Sequence, residues 1–176
     1  MYIHRKNQKA FLANPKTASQ ATATALLGMG FRKFHKHSHH TTTPIGLGPD
    51  LREYSVAMTV RHPCDAAVSW LYHKNQNLDQ PKVTKSFIER LLEDKHYFPH
   101  KDLFWGMHVD GANYVLRYEH LEEDLRGWLG EDIALPIIGI TAAKANRDWR
   151  DMITAPARKV LRDRFSEEAA HYGYEI

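Results

Sequence analysis

Lys16, Thr17, Ser19 and Thr22 bring one cation and three hydroxyls to the start of a single helical stretch. Such a grouping suits an anion. The N–H groups of a helix's first turn lack intrahelical acceptors, and the helix dipole adds positive potential at the same end. Further along, Arg61 stands at the carboxyl end of the apolar, β-branched run Val56 to Val60. Pro63 follows where a helix can begin, and Ser69 comes two turns later. Two separate sites, each offering a cation and hydroxyls, suggest a ligand with two separate phosphate groups. Few common cofactors are built that way.

The elements that position these side chains follow from the pattern of apolar residues and breakers. Phe11, Leu12 and Ala13 read as a strand that Asn14-Pro15 stops, and residues 18–29 then lack breakers until Gly28 and Gly30. Val56 to Val60 is a second strand, followed by a helix through residues 66–72. Tyr114 to Tyr118 is a short third strand, with a short helix over 121–129 behind it. Phe87, Leu91 and Leu92 mark another helix over 86–95. Residues 156–172 form an amphipathic helix with Val160, Leu161 and Phe165 inward and Arg158, Lys159, Arg162 and Asp163 outward. Strands alternating with helices predict an α/β fold, a parallel sheet with helices on both faces. In such sheets ligands bind at the carboxyl ends of the strands, where Lys16 and Arg61 both fall.

In motif and order the chain resembles the sulfotransferases that use 3′-phosphoadenosine 5′-phosphosulfate (PAPS). PKTASQA, residues 15–21, is similar to that family's PKTGSTS loop around the 5′-phosphosulfate. RHPCDAAVSWLY, residues 61–72, is similar to its RDPxxRxxSxY element, whose first Arg and Ser hold the 3′-phosphate. VLRYEHLEEDL, residues 115–125, resembles the family's YEDL segment. Residues 146–149, with the ending His171-Tyr172-Gly173-Tyr174, resemble its closing FGY. The likeness spans nearly the whole chain. It implies a P-loop-like sulfotransferase fold, with Lys16, Thr17, Ala18, Ser19, Gln20 and Ala21 around the phosphosulfate and Arg61 and Ser69 on the 3′-phosphate. Glu119 and Tyr118 would brace the site. Three positions depart from the pattern: Ala18 replaces a Gly, Gln20 a Thr or Ser, and Ala66 the second Arg of the 3′-phosphate element.

Length and composition limit the alternatives. At 176 residues, 43% hydrophobic and 26% charged, the chain reads as one ordinary globular domain over residues 1–176. A single cysteine, Cys64, excludes an intramolecular disulfide. The N-terminal segment is polar and basic, without the features of a signal peptide, and no run approaches the roughly 20 apolar residues of a membrane span. Because Golgi sulfotransferases normally carry such an anchor, a cytoplasmic, bacterial-type or virus-encoded relative is expected. The net charge of +3 is too mild to argue for nucleic acid. A nucleoside-triphosphate P-loop needs GxxxxGK followed by Ser or Thr, and this loop has no glycine before Gly28.

The run HKHSHH, residues 35–40, is the second concentration of chemistry. It is internal and irregular, so it is no purification tag. Several imidazoles could hold a metal, but no Cys, Asp or Glu lies among them. Sulfuryl transfer to a hydroxyl needs a general base near neutral pKa, which imidazole supplies. In the branch resembling the glycan 2-O-sulfotransferases, a His before a hydroxyl residue precedes the 3′-phosphate strand. By that context His40 and His39 come first as the base and His37 next, with His35 a solvated loop residue. Trp70, Trp105, Trp128 and Trp149 read as core or cleft wall, with Trp105 the first candidate among them for a contact with the acceptor or the adenine.

The resemblance thus implies transfer of the sulfuryl group of PAPS to a hydroxyl, or less readily an amine, releasing adenosine 3′,5′-bisphosphate. Lys16 would stabilise the leaving phosphate, and the scheme uses no metal. The acceptor, whether a small molecule, a glycan or another hydroxyl-bearing partner, is left open. A reading of a different class also stands: a catalytically weak or inactive nucleotide- or anion-binding module that retains the sulfotransferase fold.

Overall fold

The computed structural model describes residues 1–34, 51–74, 112–138 and 148–176. These fall into two compact units, one of residues 1–34, 51–61 and 112–138 and the other of residues 62–74 and 148–176. The histidines His37, His39 and His40, the helix expected over 86–95, and Trp105 lie outside the described residues.

The first unit is built on a sheet. Its strands are β1 (Tyr2–His4), β2 (Lys9–Leu12), β3 (Arg32–Lys33), β4 (Ser55–Val60) and β5 (Tyr114–Arg117). Among the described residues they lie in the order β3-β1-β2-β4-β5. β2, β4 and β5 are parallel, as the alternation of strands and helices predicts, whereas β1 runs antiparallel to β2 and β3. The sheet is therefore mixed. β1 and β3 escape a reading of the sequence because three residues and two residues are too short to display alternation.

β4 lies between two parallel neighbours, and Val56 to Val60 are buried on both of its faces. A strand covered on both sides needs no polar positions, which is why this run is almost continuously apolar. On one face Phe11, Ala57 and Leu116 form a core cluster with Ala23 and Leu26 of α1 (Ser19–Gly28). Leu121, Leu125 and Trp128 of α3 (Leu121–Leu129) join the same cluster.

 Each leucine or phenylalanine among them contributes about 1.5–3 kcal/mol when fully removed from water. Trp128 Nε1 donates to Ser55 Oγ at 2.9 Å, and Lys9 Nζ donates to the last carbonyls of α3, Trp128 O at 2.6 Å and Leu129 O at 2.7 Å. A cation at that end also interacts favourably with the negative end of the helix dipole. Asn113 joins β5 to β4: its Oδ1 accepts from Val56 N at 2.7 Å and its Nδ2 donates to Tyr54 O at 2.9 Å. These contacts fix the register that brings the strand ends together.

The second unit holds α2 (Pro63–Lys74), α4 (Trp149–Met152) and α5 (Ala155–His171), with α2 packed against both others. Asp148 caps α4 by accepting from Arg150 N at 2.9 Å, and Thr154 caps α5 by accepting from Ala157 N at 3.5 Å. The buried stripe of α5 runs through Ala157, Leu161, Phe165 and Ala169, at steps of four. Leu161 and Phe165 point inward as their spacing predicts, while Val160 is half-buried at the side of the stripe. Among the described residues no helix is long and apolar enough to cross a membrane.

Candidate active site

The loop between β2 and α1 is wound by its own polar groups. Asn14 Nδ2 donates to Thr59 O at 3.2 Å and so ties the end of β2 to the end of β4. Thr17 Oγ1 donates to Asn14 O at 2.8 Å, closing the turn. Lys16 and Ala18 both adopt positive φ, 63° and 56°. An L-residue pays a steric penalty there of roughly 1–2 kcal/mol, because its Cβ approaches the following carbonyl oxygen. That is the physical sense of the glycine found at the Ala18 position in the resembling family.

Ala18 is also the cap of α1. It provides no side-chain cap hydrogen bond, and no acidic residue lies in the first turn. The helix start therefore keeps its positive potential, unneutralised by a local carboxylate. Thr22 N and Thr22 Oγ1 both donate to Ala18 O, at 3.0 Å and 3.2 Å. Two of the three hydroxyls thus serve the loop itself. Thr17 is only 3% exposed and its hydroxyl proton is directed to Asn14, so its part toward an anion falls to its backbone N–H. Ser19 is buried at the head of α1, Gln20 is exposed, and Ala21 is buried.

Arg61 follows β4 and is 4% exposed. Its Nη1 donates to Lys16 O at 2.7 Å, and its guanidinium carbon lies 3.8 Å from the centroid of the Tyr118 ring. The register explains the second contact. Val60 pairs with Arg117 across β4 and β5, so Arg61 and Tyr118 are the next residues along the two parallel strands. Tyr118 begins a 3-10 turn, Tyr118–His120. Beside Arg61, Thr59 Oγ1 is buried with no hydrogen-bond partner among the described residues.

The end of β5 is held from α3. Asp124 accepts from Arg117 N at 2.7 Å, Arg117 Nε at 3.0 Å and Arg117 Nη2 at 2.8 Å. Burial pushes the Asp124 carboxyl up, but the Arg117 side-chain and backbone hydrogen bonds and the Arg117 charge outweigh it and hold the pKa below its ordinary value. Glu119 is exposed, and the Asp124 carboxylate tethers this segment through Arg117.

In the second unit, His62 precedes α2 and caps it: its Nδ1 accepts from Cys64 N at 3.2 Å and its carbonyl from Ala66 N at 2.9 Å. An accepting Nδ1 leaves Nε2 as the protonated nitrogen, which donates to Glu175 O at 2.8 Å. The His62 ring stacks on Trp149 at 4.3 Å. Cys64 is buried, and burial pushes its thiol up to about 12 against the nearby charges of Arg158 and Arg162, so it is no nucleophile. Ser69 is half-buried on α2. Ala66, where the resembling element has a second Arg, is 2% exposed, a position that would bury a guanidinium.

Asn14 escapes sequence reasoning as a site residue, and the contact of the Tyr118 ring with Arg61 is not visible in spacing. Asn14-Pro15 reads as a strand stop, and nothing in spacing shows that the Asn14 side chain reaches across to β4.

A family model described as the sulfotransferase domain matches residues 19–133, well over half of the chain, and the chain belongs to that family. The matched segment starts at Ser19 and includes α1, β4, α2, β5 and α3. A search of curated proteins returned no match.

Proposed function

We propose that this chain is a PAPS-dependent sulfotransferase that moves the sulfuryl group in line onto a hydroxyl, or less readily an amine. The observation that carries the reading is the loop of residues 14–18. It is turned by two left-handed residues at a helix start without a side-chain cap, and it is hydrogen-bonded through Lys16 O to Arg61. Successive backbone N–H groups in such turns form concavities suited to phosphate and sulfate oxygens.

Bound PAPS would supply the sulfuryl group and, on its departure, leave adenosine 3′,5′-bisphosphate. Lys16 Nζ would balance the charge that builds on the leaving phosphate. The N–H groups of residues 17–21 and Ser19 Oγ would hold the equatorial oxygens; a preorganised donor of this kind is typically worth roughly 3 kcal/mol. Arg61 and Ser69 would hold the 3′-phosphate and set the register of the nucleotide. His40 or His39, or else His37, would take the acceptor proton. Residues 1–176 act as one sulfotransferase domain in this scheme. A cytoplasmic setting fits the one buried free cysteine.

The test is sulfate transfer from labelled PAPS over a panel of glycan, small-molecule and peptide acceptors, with Lys16→Ala as control. Transfer by the wild type that Lys16→Ala abolishes supports the proposal. Bisphosphate binding without transfer to any acceptor favours the inactive module, and neither binding nor transfer overturns both.

A further inference from the structure

We infer that Tyr118 is a positioning residue for 3′-phosphate recognition: its ring face orients the Arg61 guanidinium, and this sets how strongly the site prefers a nucleotide bearing a 3′-phosphate. The inference rests on the sulfotransferase reading above. The guanidinium carbon stands 3.8 Å from the ring centroid, well inside the roughly 6 Å at which a cation is attracted to an aromatic face. The hydrogen bond from Nη1 to Lys16 O fixes one corner of the guanidinium, and the ring against its central carbon limits how far it can tilt. Both constraints matter because a guanidinium binds phosphate through N–H groups lying in one plane, and a tilted fork loses the paired geometry.

Tyr118 is suited to the task because it is itself held. Arg117, the preceding residue, is fixed to Asp124 through its backbone N–H and its side chain. The pairing of Val60 with Arg117 then places the ring beside Arg61. The face of the ring makes the contact, so phenylalanine should serve as well as tyrosine.

The experiment is calorimetric titration with two nucleotides, adenosine 3′,5′-bisphosphate and adenosine 5′-monophosphate. It uses the wild type, Tyr118→Phe, Tyr118→Leu, Arg61→Lys and the Tyr118→Leu/Arg61→Lys double variant, each checked for its Tm. Tyr118→Phe should keep the wild-type preference for the bisphosphate. Tyr118→Leu should lose about tenfold of that preference, the order expected of one desolvated cation–π contact, with monophosphate binding nearly unchanged. In the Arg61→Lys background the Leu substitution should change the preference little. An unchanged preference in Tyr118→Leu overturns the inference. So does equal loss for both nucleotides, which marks a general structural role or a contact with the shared part of the ligand. So too does Tyr118→Phe behaving like Tyr118→Leu, which assigns the effect to the hydroxyl. A wild type that binds neither nucleotide overturns the sulfotransferase reading as well, whereas binding with unaltered preference removes only the inference.

Discussion

Arg61 Nη1 and the carbonyl oxygen of Lys16 are joined by a 2.7 Å hydrogen bond between residues 45 positions apart. The carboxyl ends of β2 and β4 are therefore coupled through the two cations that the proposed mechanism uses. An Arg61 that only gripped a remote phosphate would affect nucleotide binding alone. Because it also holds the loop, Arg61→Ala should raise the KM for PAPS and lower kcat at saturation by about tenfold. It should also cost roughly 1.5–3 kcal/mol of stability, the usual worth of a hydrogen bond from a charged donor. Steady-state kinetics with a denaturant titration check this, and an unchanged kcat argues against the coupling.

The left-handed pair Lys16 and Ala18 makes a separate prediction about stability. Ala18→Gly removes the Cβ penalty but adds freedom to the unfolded chain, so stability should be unchanged or rise by up to ~1 kcal/mol. Ala18→Val, with a branched side chain at the same φ, should lose more than ~1 kcal/mol. Lys16→Gly should keep the fold and the carbonyl that Arg61 uses while losing transfer. Denaturation midpoints and a transfer assay on the three variants separate the backbone role from the charge.

Asp124 carries the pH prediction. Its folded pKa lies below the ordinary value through Arg117, so its contribution is fully present above the unfolded pKa and is lost as pH falls through the folded one. Asp124→Asn should cost about 1 kcal/mol near neutral pH, given that Arg117 is half exposed. The gap between the variant and the wild type should narrow in acid, as pH falls below the ordinary carboxylate value and through the lowered folded one. Urea titrations at the two pH values measure it; a gap that persists in acid contradicts the assignment.

The base is tested by rate. If His40, His39 or His37 takes the acceptor proton, one of the three alanine variants should lose roughly 10²–10⁴-fold in turnover and bind the nucleotide normally. The wild-type rate should rise with pH through an imidazole pKa, provided chemistry limits turnover. Three variants with wild-type rates would move the base elsewhere.

What a reading of the sequence captures here is local. The strand Val56 to Val60 and the helix that follows it are consecutive in the chain, so apolar patterning and Pro63 reveal them. The parallel order of β2, β4 and β5 follows from the helices between them. β1 and β3 are too short to leave a pattern, and the antiparallel edge of the sheet comes with them. The positive φ of Ala18 runs against alanine's own preference, so only the resemblance to a glycine-bearing loop hints at it. Spacing shows neither which way a hydroxyl turns nor which residues meet across strands. The inward Thr17, the reach of Asn14 to Thr59 and the contact of Arg61 with the Tyr118 ring therefore need the folded register.

The central claim, that the Lys16 loop and Arg61 serve a nucleotide with two separate phosphates, is tested most directly by thermal unfolding with adenosine 3′,5′-bisphosphate. A ligand that binds only the native state stabilises it, by about 2.7 kcal/mol at a hundredfold excess over Kd. The account predicts a Tm that climbs with bisphosphate concentration in the wild type, climbs less in Arg61→Ala, and climbs less again with adenosine 5′-monophosphate. A wild-type Tm that does not move with the bisphosphate would contradict it.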